Sequence, residues 1–119
     1  MKFLLIFIGG GAGSILRYLF SVWFVFLPGK TFPWPTFLAN VVSCLILGVA
    51  FKKLNSFFPY EPQTIWLLIT GFCGGFSTFS TFSFEILTLL REGLFFPAVL
   101  YVLASLMVGV GCVFIGYLI

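Results

Sequence analysis

The chain has 119 residues, of which 61% are hydrophobic and 8% charged, with a net charge of +3 and a mean hydropathy of +1.23. A soluble domain carries roughly a quarter charged residues, so this composition excludes an ordinary soluble fold and predicts an all-α membrane protein. His and Asp are absent, which removes the usual general bases, triads and metal clusters, and with them most enzymes. The few Lys and Arg form no basic run, so nucleic acid is not an expected partner. Cys44, Cys73 and Cys112 lie far apart in apolar surroundings without C-x-x-C spacing, and they read as small buried hydrophobes.

A helix that crosses the lipid needs about 20 mostly apolar residues. Four stretches meet that length or approach it: residues 3–27, 36–51, 64–90 and 95–119. Together they make residues 1–119 a single four-helix transmembrane domain. The breaks fall at Pro28-Gly29-Lys30 with Pro33-Trp34-Pro35, at Lys52-Lys53 through Pro59 to Pro62, and at Arg91-Glu92-Gly93. The apolar character resumes straight after Gly13 and runs to Leu27, which argues against a cleaved signal peptide.

In the first stretch, Gly9-Gly10-Gly11-Ala12-Gly13-Ser14 lacks the last glycine of a G-x-G-x-x-G loop. Gly9 and Gly13 instead form a small-xxx-small face for close helix packing. Arg17 follows. A buried intramembrane arginine costs about 2.5–3.5 kcal/mol on insertion scales, so it must pair, snorkel or line water. Glu85 is its one opposite charge at depth; an aqueous vestibule that draws anions is the other solution. With four helices, Lys2, Lys52 and Lys53 share one side, and Lys30 and Arg91 the other. This weak bias predicts insertion in both orientations and pairing of opposed copies as an antiparallel homodimer.

Asn40 is a lone amide in the second stretch, and it serves either as interhelical glue or as a donor on an ion path. In the third, the segment from Gly71 to Glu85 mixes glycines, hydroxyls and phenylalanines as no lipid-facing helix needs to. Gly74-Gly75 marks a weak point where a helix can open. The carbonyls so freed are hard ligands for an alkali cation. Phe79 and Phe82 are spaced to share a helical face, with Thr78, Thr81 and Glu85 on a neighbouring one. Ring edges are positive and hydroxyls donate, so such a face suits a small anion; periodicity alone favours ordinary core packing. In the fourth stretch Tyr101 and Ser105 lie one turn apart, with Gly109 and Cys112 continuing the face.

The run G-F-C-G-G-F-S-T-F-S-T-F-S-F-E closely resembles the signature of the Fluc (CrcB) fluoride ion channels. G-G-G-A-G-S-I-L-R-Y and T-F-L-A-N are similar to that family too, so the resemblance covers the whole chain. It implies four transmembrane helices, the third broken near its middle, in a dual-topology antiparallel homodimer of a bacterial inner membrane. Two pores would pass fluoride passively out of the cytoplasm. By resemblance Phe79 and Phe82 contact fluoride with their ring edges, and Asn40, Tyr101, Ser105 and Thr81 line the path. Arg17 stands near the pore entrance, and backbone carbonyls of Gly74 and Ser77 hold a structural sodium ion, Na+, at the dimer interface. Thr78 and Glu85 fall in the motif without an assigned role. Gly109 stands where some members carry another hydroxyl. The competing readings are a small dual-topology drug/proton exporter, which needs a carboxylate where this first helix offers Arg17, and a non-conducting membrane assembly subunit.

Overall fold

The computed structural model describes residues 1–27, 31–57 and 62–119, excluding the side chains of Asn55 and Phe57. The expected breaks at Pro28-Gly29-Lys30 and around Pro59 lie outside the described residues. Four spans are long and apolar enough to cross a membrane. The first is α1 (Lys2–Trp23) and the second is α2 (Trp34–Phe57). The third is built of two pieces, α3 (residues 62–76) and α4 (Phe79–Arg91), and the fourth is α5 (Phe95–Leu118). No strand occurs among the described residues.

Several boundaries differ from those read in the sequence. Helix α1 ends at Trp23 rather than Leu27, where Phe24 leaves helical geometry and its N–H closes onto the Phe20 carbonyl at 3.0 Å. Helix α2 starts two residues earlier, with Pro35 in its first turn, and runs on past the lysines. A long cationic side chain at a span end can reach a polar partner, and Lys52 Nζ donates to the Leu118 carbonyl at 2.8 Å. At the other end, Gly93 takes φ 76° and its N–H reaches the Leu90 carbonyl, while the Leu94 N–H reaches Leu89. This paired closure is the glycine-terminated end that only a residue free to adopt positive φ makes cheaply.

Within α3, Ile65–Cys73 is wound as a π-helix. π-Turns are rare and usually confined to one turn. Here the wider coil is packed against α1. A Cβ at Gly13 would fall 2.7 Å from the Phe76 nitrogen, and one at Gly71 only 3.0 Å from the Ile6 carbonyl oxygen. Gly9 and Gly13 are buried in this contact. A second close crossing joins α2 to α5, where a Cβ at Gly116 would meet the Val49 nitrogen at 2.9 Å and one at Gly48 the Tyr117 nitrogen at 3.0 Å. The interior is completed by Phe82, Leu89, Ala98 and Tyr101, which join α4 to α5. Large side chains such as Phe3, Phe7, Phe96 and Met107 stay exposed, as expected of a protein whose solvent is lipid.

Candidate functional site

The third span opens at Ser77 and Thr78, one step beyond the glycines expected to break it. Gly74–Phe76 remain helical, whereas Ser77 (ψ 156°) and Thr78 (φ −150°, ψ 122°) are extended. Gly75 serves close packing, because a Cβ there would press on the Gly10 backbone, whereas Gly74 is exposed. The hydroxyl residues that follow supply the partners an open helix needs. Thr78 is therefore no member of the helical face with Thr81 and Glu85. It caps α4, its Oγ1 accepting the Thr81 N–H at 3.2 Å.

Asn40 clasps the break from α2. Its Oδ1 accepts the Thr78 N–H at 2.8 Å, and its Nδ2 donates to the Thr78 carbonyl at 3.3 Å. In an unbroken helix that N–H would go to the Gly74 carbonyl; here it is diverted. The Cys73 carbonyl gathers the Ser77 N–H at 3.0 Å, Ser77 Oγ at 2.8 Å and Ser43 Oγ at 3.2 Å. Non-helical backbone at membrane depth survives only when so satisfied.

Beside the break lies a cavity of about 250 Å³. Asn40, Ser77, Phe79, Phe82 and Ser105 all belong to its wall, together with Cys44 and Gly109. The Phe79 and Phe82 rings stand 5.9 Å apart, although Phe82 is 9% exposed and Phe79 is 79% exposed. Ser105 contributes a buried Oγ with no hydrogen-bond partner among the described residues. Hydroxyl donor, amide and ring edges thus converge on one space. Such a space accommodates a small anion by hydrogen bonds and edge contacts.

Tyr101 and Thr81 are not part of that wall. Tyr101 is fully buried, its ring 4.9 Å from that of Phe82 and its OH donating to Glu85 Oε2 at 2.7 Å. Thr36 Oγ1 donates to Glu85 Oε1 at 2.6 Å. Glu85 thereby ties α2 and α5 to α4, and the charged pair with Arg17 entertained from sequence is replaced by two hydroxyl partners. Arg17 instead borders a second cavity, about 300 Å³, with Ser14, Tyr18, Ser21, Thr36 and Thr81. That polar, cation-bearing recess is what the vestibule alternative requires. Thr36 touches this recess and also Glu85, so it connects the two regions.

Sequence reading missed Thr36, Ser43 and Cys44. Thr36 and Ser43 are lone hydroxyls in an apolar stretch, the same signal that singled out Asn40, and each finds its partner across helices. The expectation that all three cysteines are buried holds for Cys73, whereas Cys44 and Cys112 are partly exposed and Cys44 faces the cavity.

Comparison with known proteins adds the family. Residues 4–117 match the model described as CrcB-like protein, Camphor Resistance (CrcB). The chain is 42% identical over 113 residues to the fluoride-specific ion channel FluC of Leptospira interrogans serovar copenhageni, covering 95% of this chain and 89% of that one. It is 44% identical over 114 residues to the FluC protein of Phocaeicola vulgatus, covering 95% and 93%. The FluC protein of Pyrococcus abyssi is 44% identical over 118 residues, covering 97% and 92%. With a match spanning nearly its full length and a broken third span clasped by Asn40, the chain belongs to the CrcB-like protein family.

Proposed function

We propose that the protein is a fluoride-selective channel that lets cytoplasmic fluoride leave the cell passively across its membrane. The observation that carries the proposal is the cavity where the Phe79 and Phe82 rings adjoin the unpartnered Ser105 hydroxyl. Fluoride is small and tightly hydrated. It leaves water only where O–H and N–H donors replace the lost shell, and where ring edges accept the residual charge. Ser105 is a free donor, and Asn40 retains a second amide hydrogen beyond the one given to Thr78. The Arg17 recess, with hydroxyls around it, would gather anions from water before they dehydrate.

The working unit in this proposal is an antiparallel homodimer with two pores. The exposed Phe79 ring at the cavity mouth and the weak charge bias support it. The break supplies the fit for a structural sodium ion. The Gly74 carbonyl has lost its intrahelical donor to Asn40, and Gly74 is exposed on the surface a second copy would cover. Carbonyls of Gly74 and Ser77 from two copies would offer oxygens of the kind an alkali cation takes. Sodium there would supply positive charge and crosslink the copies.

Replacing Phe82 or Phe79 by isoleucine keeps bulk and removes the ring edge. An edge contact of about 1.4 kcal/mol corresponds to about tenfold in rate. Each variant is therefore expected to slow fluoride efflux from liposomes at least about tenfold while eluting as the same oligomer. Normal rates in both would refute the ring-edge path.

A further inference from the structure

The cavity wall contains a thiol for which fluoride passage has no use. Cys44 extends from α2 into the same cavity as Phe82 and Ser105. Its thiol is neither disulfide-bonded nor fully buried. The facing position on α5 is Gly109, and a Cβ built there would stand 3.6 Å from Cys44 Sγ. Because Gly109 has no side chain, α5 presents only backbone to the sulfur at this position. Ser105, one turn before Gly109, is the independent sign that this space holds a ligand: a buried hydroxyl lining the cavity with no partner among the described residues.

We propose that Cys44 lines the fluoride path and that its thiol is a modification site at which a soft metal closes it. The inference rests on the cavity being the conducting path. A thiol donates a hydrogen bond only weakly, so Cys44 walls the path next to Ser105 without binding fluoride strongly. Its affinity for soft metals is another matter. With mercuric chloride the S–H bond breaks and an S–Hg bond forms. One chloride leaves mercury and the proton goes to water, giving a bulky S–Hg–Cl group in place of S–H. That bulky group then occupies part of the cavity the ion must cross. Cys73 is buried against the break, and its Sγ is not part of the cavity wall; Cys112 is likewise absent from that wall.

The test uses the full chain in liposomes, with fluoride efflux read before and after mercuric chloride, a neutral molecule that reaches thiols from water and from lipid. Four proteins are compared: the unsubstituted chain, Cys44→Ala, Cys44→Ser, and the double variant Cys73→Ala/Cys112→Ala. The expected result is that all four conduct, and that mercury stops the unsubstituted chain and the double variant. Both Cys44 variants continue to conduct in mercury. Continued efflux from the unsubstituted chain in mercury overturns the proposal, and so does block that persists in Cys44→Ala and Cys44→Ser. If the double variant misfolds, the contrast between the unsubstituted chain and the two Cys44 variants decides alone. An unsubstituted chain that passes no fluoride before mercury is added would overturn the channel reading itself, a result separate from either mercury outcome.

Discussion

Replacing Asn40 by alanine is expected to destabilise the protein by about 2–4 kcal/mol and to abolish conduction, because it leaves the Thr78 N–H without a partner and takes a donor from the Thr78 carbonyl. The Thr78 N–H gives its bond to Asn40 Oδ1 at 2.8 Å, and the Thr78 carbonyl receives Nδ2 at 3.3 Å. The N–H has no helical partner to fall back on, since Thr78 is extended, whereas the carbonyl, at the cap of α4, still accepts the first helical bond. In water the loss would be softened by solvent; at membrane depth it is not. Asn40→Asp keeps an acceptor for the N–H but loses the donor to the carbonyl, so it should fall between the two. Unfolding in detergent, followed by tryptophan fluorescence, measures the order. Alanine within about 1 kcal/mol of the unsubstituted protein would mean that the clasp does not hold the break.

The second large effect is expected from a single methyl group. Gly13→Ala puts a Cβ 2.7 Å from the Phe76 nitrogen and closer still to the Phe72 carbonyl. Both are backbone atoms and cannot swing aside. α1 must then move off α3, at an expected cost of about 1–3 kcal/mol for overpacking, and the shift reaches the break through Phe76. The Phe76 ring is fully buried and meets Phe20 of α1 edge-on at 5.1 Å. Gly11→Ala is the matched control, because a Cβ at Gly11 meets nothing within 4 Å. Alanine also favours helix over glycine by about 1 kcal/mol. The pair should therefore split in sign, Gly11→Ala neutral or stabilising and Gly13→Ala destabilising. Equal behaviour in the same unfolding assay would show that the α1–α3 contact is loose.

Much of this fold was readable because apolar length is a strong signal. The four spans follow from runs that lipid alone can solvate, and Gly9 and Gly13 mark their packing face by spacing. The break was legible only to within a few residues. Glycine allows an opening, but Gly75 is used for close approach to α1, and Gly74 stays helical and exposed. The opening falls at Ser77 and Thr78, where hydroxyls and Asn40 can satisfy the backbone. Nothing local to residues 65–73 distinguishes a π-helix from an α-helix, since the same apolar run suits both. The clasp between Asn40 and Thr78 and the Thr36–Glu85–Tyr101 linkage join residues far apart in sequence, and no periodicity encodes such contacts. Gly48 and Gly116 went unremarked because each is an isolated glycine whose partner lies on another helix. The site was legible mostly through resemblance. Periodicity gave Phe79 and Phe82 a shared face, whereas the cavity that makes the face useful depends on α2 and α5.

The most direct test is fluoride efflux from liposomes containing only this purified protein, compared with chloride efflux from the same preparation. The account predicts that fluoride leaves rapidly and without an imposed proton gradient, faster than chloride by orders of magnitude. A well-folded preparation that passes no fluoride, or passes chloride equally well, would contradict it.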